Sequence, residues 1–388
     1  MIRLIPSLPA LYVIARVVWP MPWPLPLKLG LALVLLAASQ YHLWSRLSSG
    51  SVFAPEFPRP VVILFNWAFG AIALAAPLQI ALDLVALVSL ALPGGGWTIP
   101  TAARAAVALT SALLAAIAVR QALRVPPLKD VGVAIADLAP GFDGFTLLHL
   151  TDLHISRLFP GSWARDVVAR ANALDADVIV VTGDFIDGSL DARRADVAPL
   201  AALRARDGVW AVPGNHEYFF DADAWMRHLE GLGIRILANA HTVLTRDGGA
   251  LVLAGVTDRS APATGHPGPD LAAALAGAPA GAPIVLLDHQ PAQAARAAAR
   301  GVALQLSGHT HGGMIRGLDR LVARGNAGFV SGAYQVGGMR LYVSNGTALW
   351  PGFALRLGRP SELTRITLRR AAQSIGMPPV TGTRAPDM

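Results

Sequence analysis

Residues 145–154 read FTLLHLTDLH, a short apolar run that ends in an Asp-x-His cluster. The run extends from Phe145 to Leu150, and the polar pair after it is Asp152 and His154. A short, continuous apolar segment bounded by polar residues is typical of a strand that is buried on both faces of a sheet. The stretch therefore predicts a buried strand that carries two ligand-type side chains at its carboxyl end.

Four further apolar runs end in the same way. They cover residues 178–181, 209–212, 284–287 and 303–306, and Asp, Asn or His follows each within a few positions. Helical patterns separate several of the runs, so the chain from residue 145 onward predicts an α/β fold with buried sheets. In open α/β sheets the ligand site lies beyond the carboxyl ends of the strands. We therefore expect the five polar clusters to converge.

These clusters offer a set of ligands without thiols, because the chain contains no cysteine. Imidazole, carboxylate and amide groups suit Mn, Fe or Zn. One ion takes three or four protein ligands, whereas this set is large enough for two. Two ions about 3.5–4 Å apart can share a carboxylate and a hydroxide and clamp a phosphoryl group. The clusters offer seven good candidate ligands, which is enough for two ions.

The order of the clusters resembles the five motifs of the calcineurin-like metallophosphoesterases. The resemblance covers about residues 145 to 370 and implies an α/β fold with a four-layer α/β/β/α sandwich. It also implies two divalent ions, with Asp184 bridging them. The motifs are Asp152-x-His154, Gly183-Asp184, Gly214-Asn215-His216-Glu217, His289 and Gly308-His309-x-His311. The implied ligands are Asp152, His154 and His311 for the first ion, and Asn215, His289 and His309 for the second.

The same resemblance implies which residues act in catalysis. His216 is similar to the family histidine that contacts the scissile phosphate and assists the leaving group. With the bridging Asp184 and with Asn215 it completes the expected catalytic set. Glu217 and Asp288 are either groups that orient the ligand histidines or ordinary structural residues.

The composition points to a membrane rather than to water. Of the 388 residues 53% are hydrophobic and only 15% are charged, whereas about a quarter of the residues of a soluble protein are charged. The formal net charge of +7 belongs mostly to the N-terminal third, since nine basic and three acidic residues precede residue 131. Nucleic-acid binding would need clustered Lys and Arg on a folded face. We therefore expect a membrane, and no nucleic acid, as a partner.

Four apolar stretches occupy the N-terminal region, and a bilayer span needs about 20 such residues. The first is the weakest, because it is short and holds Arg16, Pro20 and Pro22. A soluble bundle of buried helices is the alternative, but helices that are apolar on every face argue against it. The stretches are Leu8 to Trp23, Leu29 to Trp44, Val61 to Leu92 and Ala105 to Val119.

The predicted organisation is a membrane region at residues 1–125 with about four transmembrane helices, a linker at 126–144, the phosphoesterase domain at 145–370 and a flexible tail at 371–388. With four spans, the N-terminus and the large domain share one side. If the first stretch does not span, the N-terminus lies on the opposite side. In either case the basic residues that follow the last span favour a cytoplasmic domain in a bacterial inner membrane.

The resemblance, which extends to a membrane-anchored bacterial subgroup, implies hydrolysis of a phosphoester or pyrophosphate by attack of a metal-bridging hydroxide. The membrane region favours a lipid-linked or nucleotide-sugar substrate, and related enzymes that cleave UDP-2,3-diacylglucosamine in lipid A synthesis suggest that compound. A broad-specificity or cyclic-nucleotide phosphodiesterase is the enzymatic alternative. The non-enzymatic alternative is a membrane-bound protein whose α/β domain binds a ligand or partner without catalysis. Neither the native metal nor the oligomeric state is predicted.

Overall fold

The computed structural model describes residues 4–371. The flexible tail predicted at residues 371–388 therefore lies outside the described residues from 372 onward. The description covers the apolar N-terminal region and the whole α/β domain.

The N-terminal region is helical. A π-helical segment at Ile14–Val18 continues the first helix, and a glycine with a left-handed backbone, Gly50, ends the third. The helices are α1 (Leu4–Val13), α2 (Leu25–Ser39), α3 (Tyr41–Ser49), α4 (Arg59–Ser89) and α5 (Thr101–Ala122).

Two of these helices, α4 and α5, are long and apolar enough to cross a membrane. The helices α2 and α3 meet at a bend of 55°, and if this bent pair is taken as one span, the described residues supply three. The first predicted stretch forms an apolar helix over only Ser7–Val18, which is shorter than a span. By length and composition the described residues thus supply two or three spans, and the predicted count of about four stays a prediction. Leucines such as Leu109, which is 72% exposed, face outward from these helices.

Twelve strands within residues 4–371 form two six-stranded mixed sheets, ordered β1-β12-β2-β3-β4-β5 and β10-β11-β9-β8-β7-β6. The four strands β2 to β5 run parallel to one another, as do β7, β8, β9 and β11. The strands are β1 (Leu128–Ile135), β2 (Thr146–Leu150), β3 (Val178–Thr182), β4 (Val209–Val212), β5 (Arg235–Ile236), β6 (Ala240–Arg246), β7 (Gly249–Gly255), β8 (Ile284–Leu287), β9 (Leu304–Ser307), β10 (Gly332–Val336), β11 (Met339–Val343) and β12 (Leu363–Arg370).

The two sheets pack face to face with helices on their outer faces. Leu147 and Val180 of the first sheet share a core with Leu253 and Leu306 of the second. The next residue along β2, Leu148, points to the opposite face, where it joins the core beneath the outer helices. This arrangement confirms the predicted α/β sandwich. The remaining helices are α6 (Gly161–Asn172), α7 (Leu190–Val197), α8 (Asn215–Phe219), α9 (Ala222–Gly231), α10 (Leu271–Ala274), α11 (Ala294–Ala299) and α12 (Asp319–Gly325).

Residues 126–144 were predicted as a linker, but they contain the strand β1, so the prediction is wrong for that part. This strand pairs in parallel with β12 along its whole length, from Leu128 with Leu363 to Ile135 with Arg370. The strand β1 lies at the edge of the sheet with several side chains in solvent, so its sequence includes charged residues. It therefore lacks the continuous apolar run by which the buried strands were predicted. Only Val133 and Ile135 are buried.

The loop between β11 and β12 fixes the N-terminal helices to the domain. The Tyr41 hydroxyl and the Asn66 amide both donate to the main-chain oxygen of Pro351, at 2.8 Å each. The Arg356 main-chain N–H donates to the carbonyl of Ala118 in α5. These contacts bring the segment of residues 50–58, which joins α3 and α4, close to the carboxyl ends of the strands.

Candidate metal centre

The carboxyl ends of β2, β3, β4, β8 and β9 bring all the predicted site residues together. Three overlapping groups of side chains have their ligand atoms within 4.8 Å of one another. They share Asp184 or His154, so the groups form one continuous centre. The groups are Asp152, His154 and His311; His154, Asp184 and His216; and Asp184, His289 and His309.

The distances fit two adjoining cation sites. On one side His154 Nε2 and His311 Nε2 lie 4.0 and 3.9 Å from Asp152 Oδ1. Asp184 Oδ2 lies between the two sides, 3.7 Å from His154 Nε2 and 3.3 Å from His289 Nε2. Ligand bonds of about 2.0–2.2 Å to one ion separate the ligand atoms by roughly 3–4 Å.

Asn215 belongs to the second side. Its Oδ1 lies 3.0 Å from His289 Nε2 and 2.9 Å from His309 Nδ1. An amide oxygen that faces two imidazole nitrogens in this way forms a third corner of a cation site. Residue 215 opens α8, directly after the corner at Gly214, so the backbone holds this side chain at the end of β4.

The backbone at the centre is held in an uncommon conformation. Five of the predicted ligands have φ between 42° and 66°, the left-handed region. Asp and His enter this region more readily than branched residues do, and such strain is concentrated at functional sites. The five residues are Asp152, His154, Asp184, His309 and His311.

Gly308 and Gly214 have no side chain where the carboxylates of Asp152 and Asp184 lie. A Cβ at Gly308 would lie 2.0 Å from Thr151 Oγ1 and 2.4 Å from Asp152 Oδ2, and a Cβ at Gly214 would lie 2.2 Å from Asp184 Oδ1. No real Cβ contact is so short. Glycine is therefore required at both corners, as the Gly-Asn-His and Gly-His motifs indicate.

Hydrogen bonds to the outer nitrogens orient two ligand histidines. His289 Nδ1 donates to the main-chain oxygen of Thr182 at 2.7 Å, and His154 Nδ1 lies 3.0 Å from Asp187 Oδ2. Because each Nδ1 carries a proton, each Nε2 presents its lone pair to the centre. Among the described residues, His154 Nε2 is buried without a hydrogen-bond partner. A cation bound at this position would accept the lone pair of Nε2.

Asp187 is a functional residue that sequence reasoning missed. Besides His154, its carboxylate also accepts a hydrogen bond from His216 Nδ1, so one side chain orients two imidazoles. Asp187 is fully buried. The only local signal is its place three residues after Asp184, and nothing in that spacing tells a hydrogen-bond partner from a loop carboxylate.

Glu217 and Asp288 do not orient ligand histidines. The Glu217 carboxylate instead accepts hydrogen bonds from the main-chain N–H groups of Asp184, Phe185 and Gly214, at 2.7–2.9 Å. It thereby ties the end of β3 to the end of β4. The outer nitrogen of His289, which Asp288 precedes, is satisfied by Thr182. Burial raises the pKa of Asp288 to about 7.

The electrostatics of the centre favour a cation. Asp152, Asp184 and Asp187 are all buried, and the ion pairs that the structure shows for them are to histidines. Burial raises the pKa of Asp152. Burial opposes ionisation of Asp184 as well, but His289 and His216 hold its pKa well below the usual range. Two divalent ions would compensate these buried carboxylates, so the residues present fit such ions.

His216 lies beside the centre, as the motif predicts. Its Nε2 is 3.9 Å from Asp184 Oδ2 and its main-chain N–H donates to Asp184 Oδ1 at 2.9 Å. Burial alone would lower the pKa of His216, but the carboxylates of Asp184 and Asp187 raise it to about 9. The ring of Phe53, from the segment between α3 and α4, lies 4.9 Å from the His216 ring. Sequence reasoning had no means of placing Phe53 there.

Comparison with known proteins identifies relatives of the domain. A family model described as calcineurin-like phosphoesterase matches residues 145–313. The metallophosphoesterase YkuE of Bacillus subtilis, described as uncharacterized, is 30% identical over 237 residues, which cover 59% of this chain and 80% of that protein.

Two vertebrate relatives carry membrane segments by name. Proteins described as "transmembrane protein with metallophosphoesterase domain" are 32% identical in Danio rerio and 35% identical in Bos taurus. The matches cover 68% of this chain and 62% of each relative. The chain thus spans less than two thirds of the length of these two proteins.

Proposed function

Because the chain belongs to the calcineurin-like phosphoesterase family, we propose that it is a membrane-anchored hydrolase that cleaves a phosphoester or pyrophosphate bond at a two-metal centre. One observation carries the proposal: two groups of candidate ligand atoms, buried except for the half-buried His309, adjoin each other through Asp184. The alternative of a protein that binds without catalysis is weaker, because every candidate ligand is present and lies at the centre.

The proposed ligands divide between the two sides of the centre. Asp184 bridges them, and the donor set of carboxylate, imidazole and amide groups suits Mn, Fe or Zn. The proposed sets are Asp152, His154 and His311 for the first ion, and Asn215, His289 and His309 for the second. When bound, the ions supply a hydroxide nucleophile and neutralise charge on the phosphoryl oxygens.

His216 is the proposed proton donor to the leaving group. Asp187 accepts the hydrogen bond from its Nδ1, so the imidazolium carries its second proton on Nε2, which faces the centre. The Asp187 carboxylate beside Nδ1 favours the protonated form of this imidazole. Donation from Nε2 to the departing oxygen leaves a neutral imidazole whose orientation Asp187 still fixes.

The proposed location is a bacterial inner membrane with the catalytic domain in the cytoplasm. The long apolar helix α4 begins on the domain side, where Arg59 donates to the carbonyl of Leu158, and α5 ends on that side, with Arg120 in its last turn. Basic residues favour the cytoplasmic side of a span. The transmembrane relatives support the anchoring.

The proposed substrate is an amphiphilic phosphate compound, with UDP-2,3-diacylglucosamine as the specific candidate. The support is the contact between the metal centre and the apolar N-terminal region. A screen of purified full-length protein should include this compound, other lipid pyrophosphates, cyclic nucleotides and bis(p-nitrophenyl) phosphate. Preference for a cyclic nucleotide would overturn the substrate proposal and leave the hydrolase proposal standing.

Activity with and without metal tests the hydrolase itself. Full-length protein in detergent, supplied with Mn or Zn, should bind about two ions per chain and hydrolyse a phosphoester, and Asn215→Ala should abolish turnover. Asn172→Ala is the control, since the Asn172 amide hydrogen-bonds the main chain of Ala202 and Arg204, neither of which belongs to the centre. Full turnover by Asn215→Ala, or less than one bound ion in the unmodified protein, would refute the proposal.

A further inference from the structure

Three aromatic rings form a patch beside His216, at the edge of the metal centre. Phe53 and Phe219 are stacked, with centroids 5.1 Å apart and planes at 14°, and Trp350 meets Phe53 edge-on at 5.6 Å. Phe53 and Phe219 also lie 4.9 and 5.3 Å from the ring of His216. We call Phe53, Phe219 and Trp350 the aromatic rim.

The rim offers accessible apolar surface next to polar ligands. Phe219 is 44% exposed, and Phe53 and Trp350 are half-buried. Ligand sites are commonly lined by apolar and aromatic side chains around a few polar groups that fix the orientation. A phosphate group at the metal ligands would therefore have its organic substituent beside these rings.

The N-terminal region supplies one ring of the rim and packs against a second. Phe53 belongs to the segment between α3 and α4, and the His42 ring of α3 stacks on Trp350 at 5.7 Å. The residue after Trp350 is Pro351, whose carbonyl accepts hydrogen bonds from Tyr41 and Asn66. The rim is thus continuous with the apolar region, and an occupant that leaves the metal centre along it approaches that region.

We propose that the aromatic rim binds the aliphatic chain of an amphiphilic phosphate substrate, which makes Phe53 a specificity-determining residue supplied from outside the catalytic domain. The inference rests on the proposed function and names its substrate class. A nucleobase could also stack on such rings, but its recognition needs hydrogen bonds to its edge as well, and the rim side chains offer only a single indole N–H for them. The continuity of the rim with the apolar region therefore favours an aliphatic chain.

Alkylphosphonates test the rim without turnover. Their head group occupies the phosphate position and their chain length can be varied, so the ratio of dissociation constants for methylphosphonate and octylphosphonate measures the contribution of the chain. A fully buried methylene strengthens binding about fourfold, and a half-buried one about twofold. Titration calorimetry on Mn-loaded full-length protein should therefore show octylphosphonate binding about 100-fold tighter.

Substitutions at the rim should reduce that ratio. Phe53→Ala should reduce the preference for octylphosphonate over methylphosphonate to about tenfold. Phe53→Leu should keep most of this preference, because the leucine side chain can still contact the aliphatic chain of the ligand. The ratio cancels any general effect of a substitution on the head group. Leu321→Ala, which removes an exposed leucine elsewhere on the domain, is the control and should leave the ratio unchanged.

The outcomes separate this inference from the proposed function. Equal binding of the two phosphonates, or the same ratio in Phe53→Ala as in the unmodified protein, would overturn the aliphatic subsite while the metal centre stands. Tighter binding of phenylphosphonate than of octylphosphonate would also overturn it, in favour of a planar group. Failure of all phosphonates to bind metal-loaded protein would refute both.

Discussion

Oδ2 of Asp187 accepts a hydrogen bond from Nδ1 of His154 at a distance of 3.0 Å. The bond fixes the imidazole so that Nε2 faces Asp184, 3.7 Å away. Oδ1 of Asp187 likewise accepts a hydrogen bond from Nδ1 of His216 and fixes that imidazole. One carboxylate, which no motif pointed out, thus sets the orientation of a proposed ligand and of the proposed proton donor.

Replacing Asp187 should weaken both roles. Asp187→Asn keeps the size but offers only one oxygen acceptor, and loss of such a partner typically costs 10- to 100-fold in metal affinity or activity. We expect Mn affinity, measured by calorimetry, to fall within that range and kcat to fall with it. Asp191→Asn, an exposed carboxylate in α7, is the control. Unchanged affinity in Asp187→Asn would show that the hydrogen bond has no orienting role.

Metal removal should destabilise the domain. Without cations the buried carboxylates lack compensation other than histidines, and a ligand present at 100 times its dissociation constant stabilises a protein by about 2.7 kcal/mol. Chelation should therefore lower the Tm by several degrees, and Mn should restore it. The shift should be much smaller in Asp184→Asn, because the bridging carboxylate belongs to both sides. An equal shift in that variant would contradict a bridging position.

Arg356 should be essential to the loop that carries His311. Its guanidinium is fully buried and donates to the carbonyls of His311, Asn345 and Ala348. Burial lowers its pKa to about 10. Arg356→Met would remove the donor to the Asn345 and Ala348 oxygens at about 1–3 kcal/mol each, while the His311 oxygen would keep its hydrogen bond from the main-chain N–H of Met314. Denaturant unfolding should show a loss of several kcal/mol, and Arg340→Met, an exposed substitution on β11, should show almost none. Equal stabilities would refute this role.

His149 should make the domain sensitive to acid. Burial lowers the pKa of His149 to about 3, while the unfolded chain takes up the proton near pH 6.5. The folded state is therefore fully favoured above pH 6.5 and loses stability as the pH falls toward 3. Between pH 6.5 and 5 the loss from this one group is about 2 kcal/mol.

The variant His149→Gln isolates this contribution. Glutamine does not titrate and can still hydrogen-bond Thr182 Oγ1, which lies 2.7 Å from His149 Nε2. The free energy of unfolding of metal-free protein, measured from pH 7 to 5, should fall less steeply in the variant. Identical slopes would show that His149 takes up its proton while folded.

The predicted strands and ligands followed from local pattern. Each apolar run and the polar cluster after it lie within about ten residues, so the strand ends and the seven predicted ligand positions needed no knowledge of distant contacts. Asp187, Phe53 and β1 were missed for the opposite reason. Asp187 matters through two histidines on other loops, Phe53 reaches the centre from a segment some 160 residues before His216, and β1 exists because β12 pairs with it.

A matched pair of glycines tests how tightly the centre is built. Gly308→Ala places a Cβ 2.4 Å from Asp152 Oδ2, so Asp152 must move, and overpacking of this kind costs about 1–3 kcal/mol. Gly325→Ala in α12 meets no atom within 4 Å and should be neutral or slightly stabilising. We expect Gly308→Ala to lose Mn binding and turnover together while Gly325→Ala keeps both. Normal Mn binding by Gly308→Ala would mean that Asp152 is not held where the close approach of β2 and β9 places it.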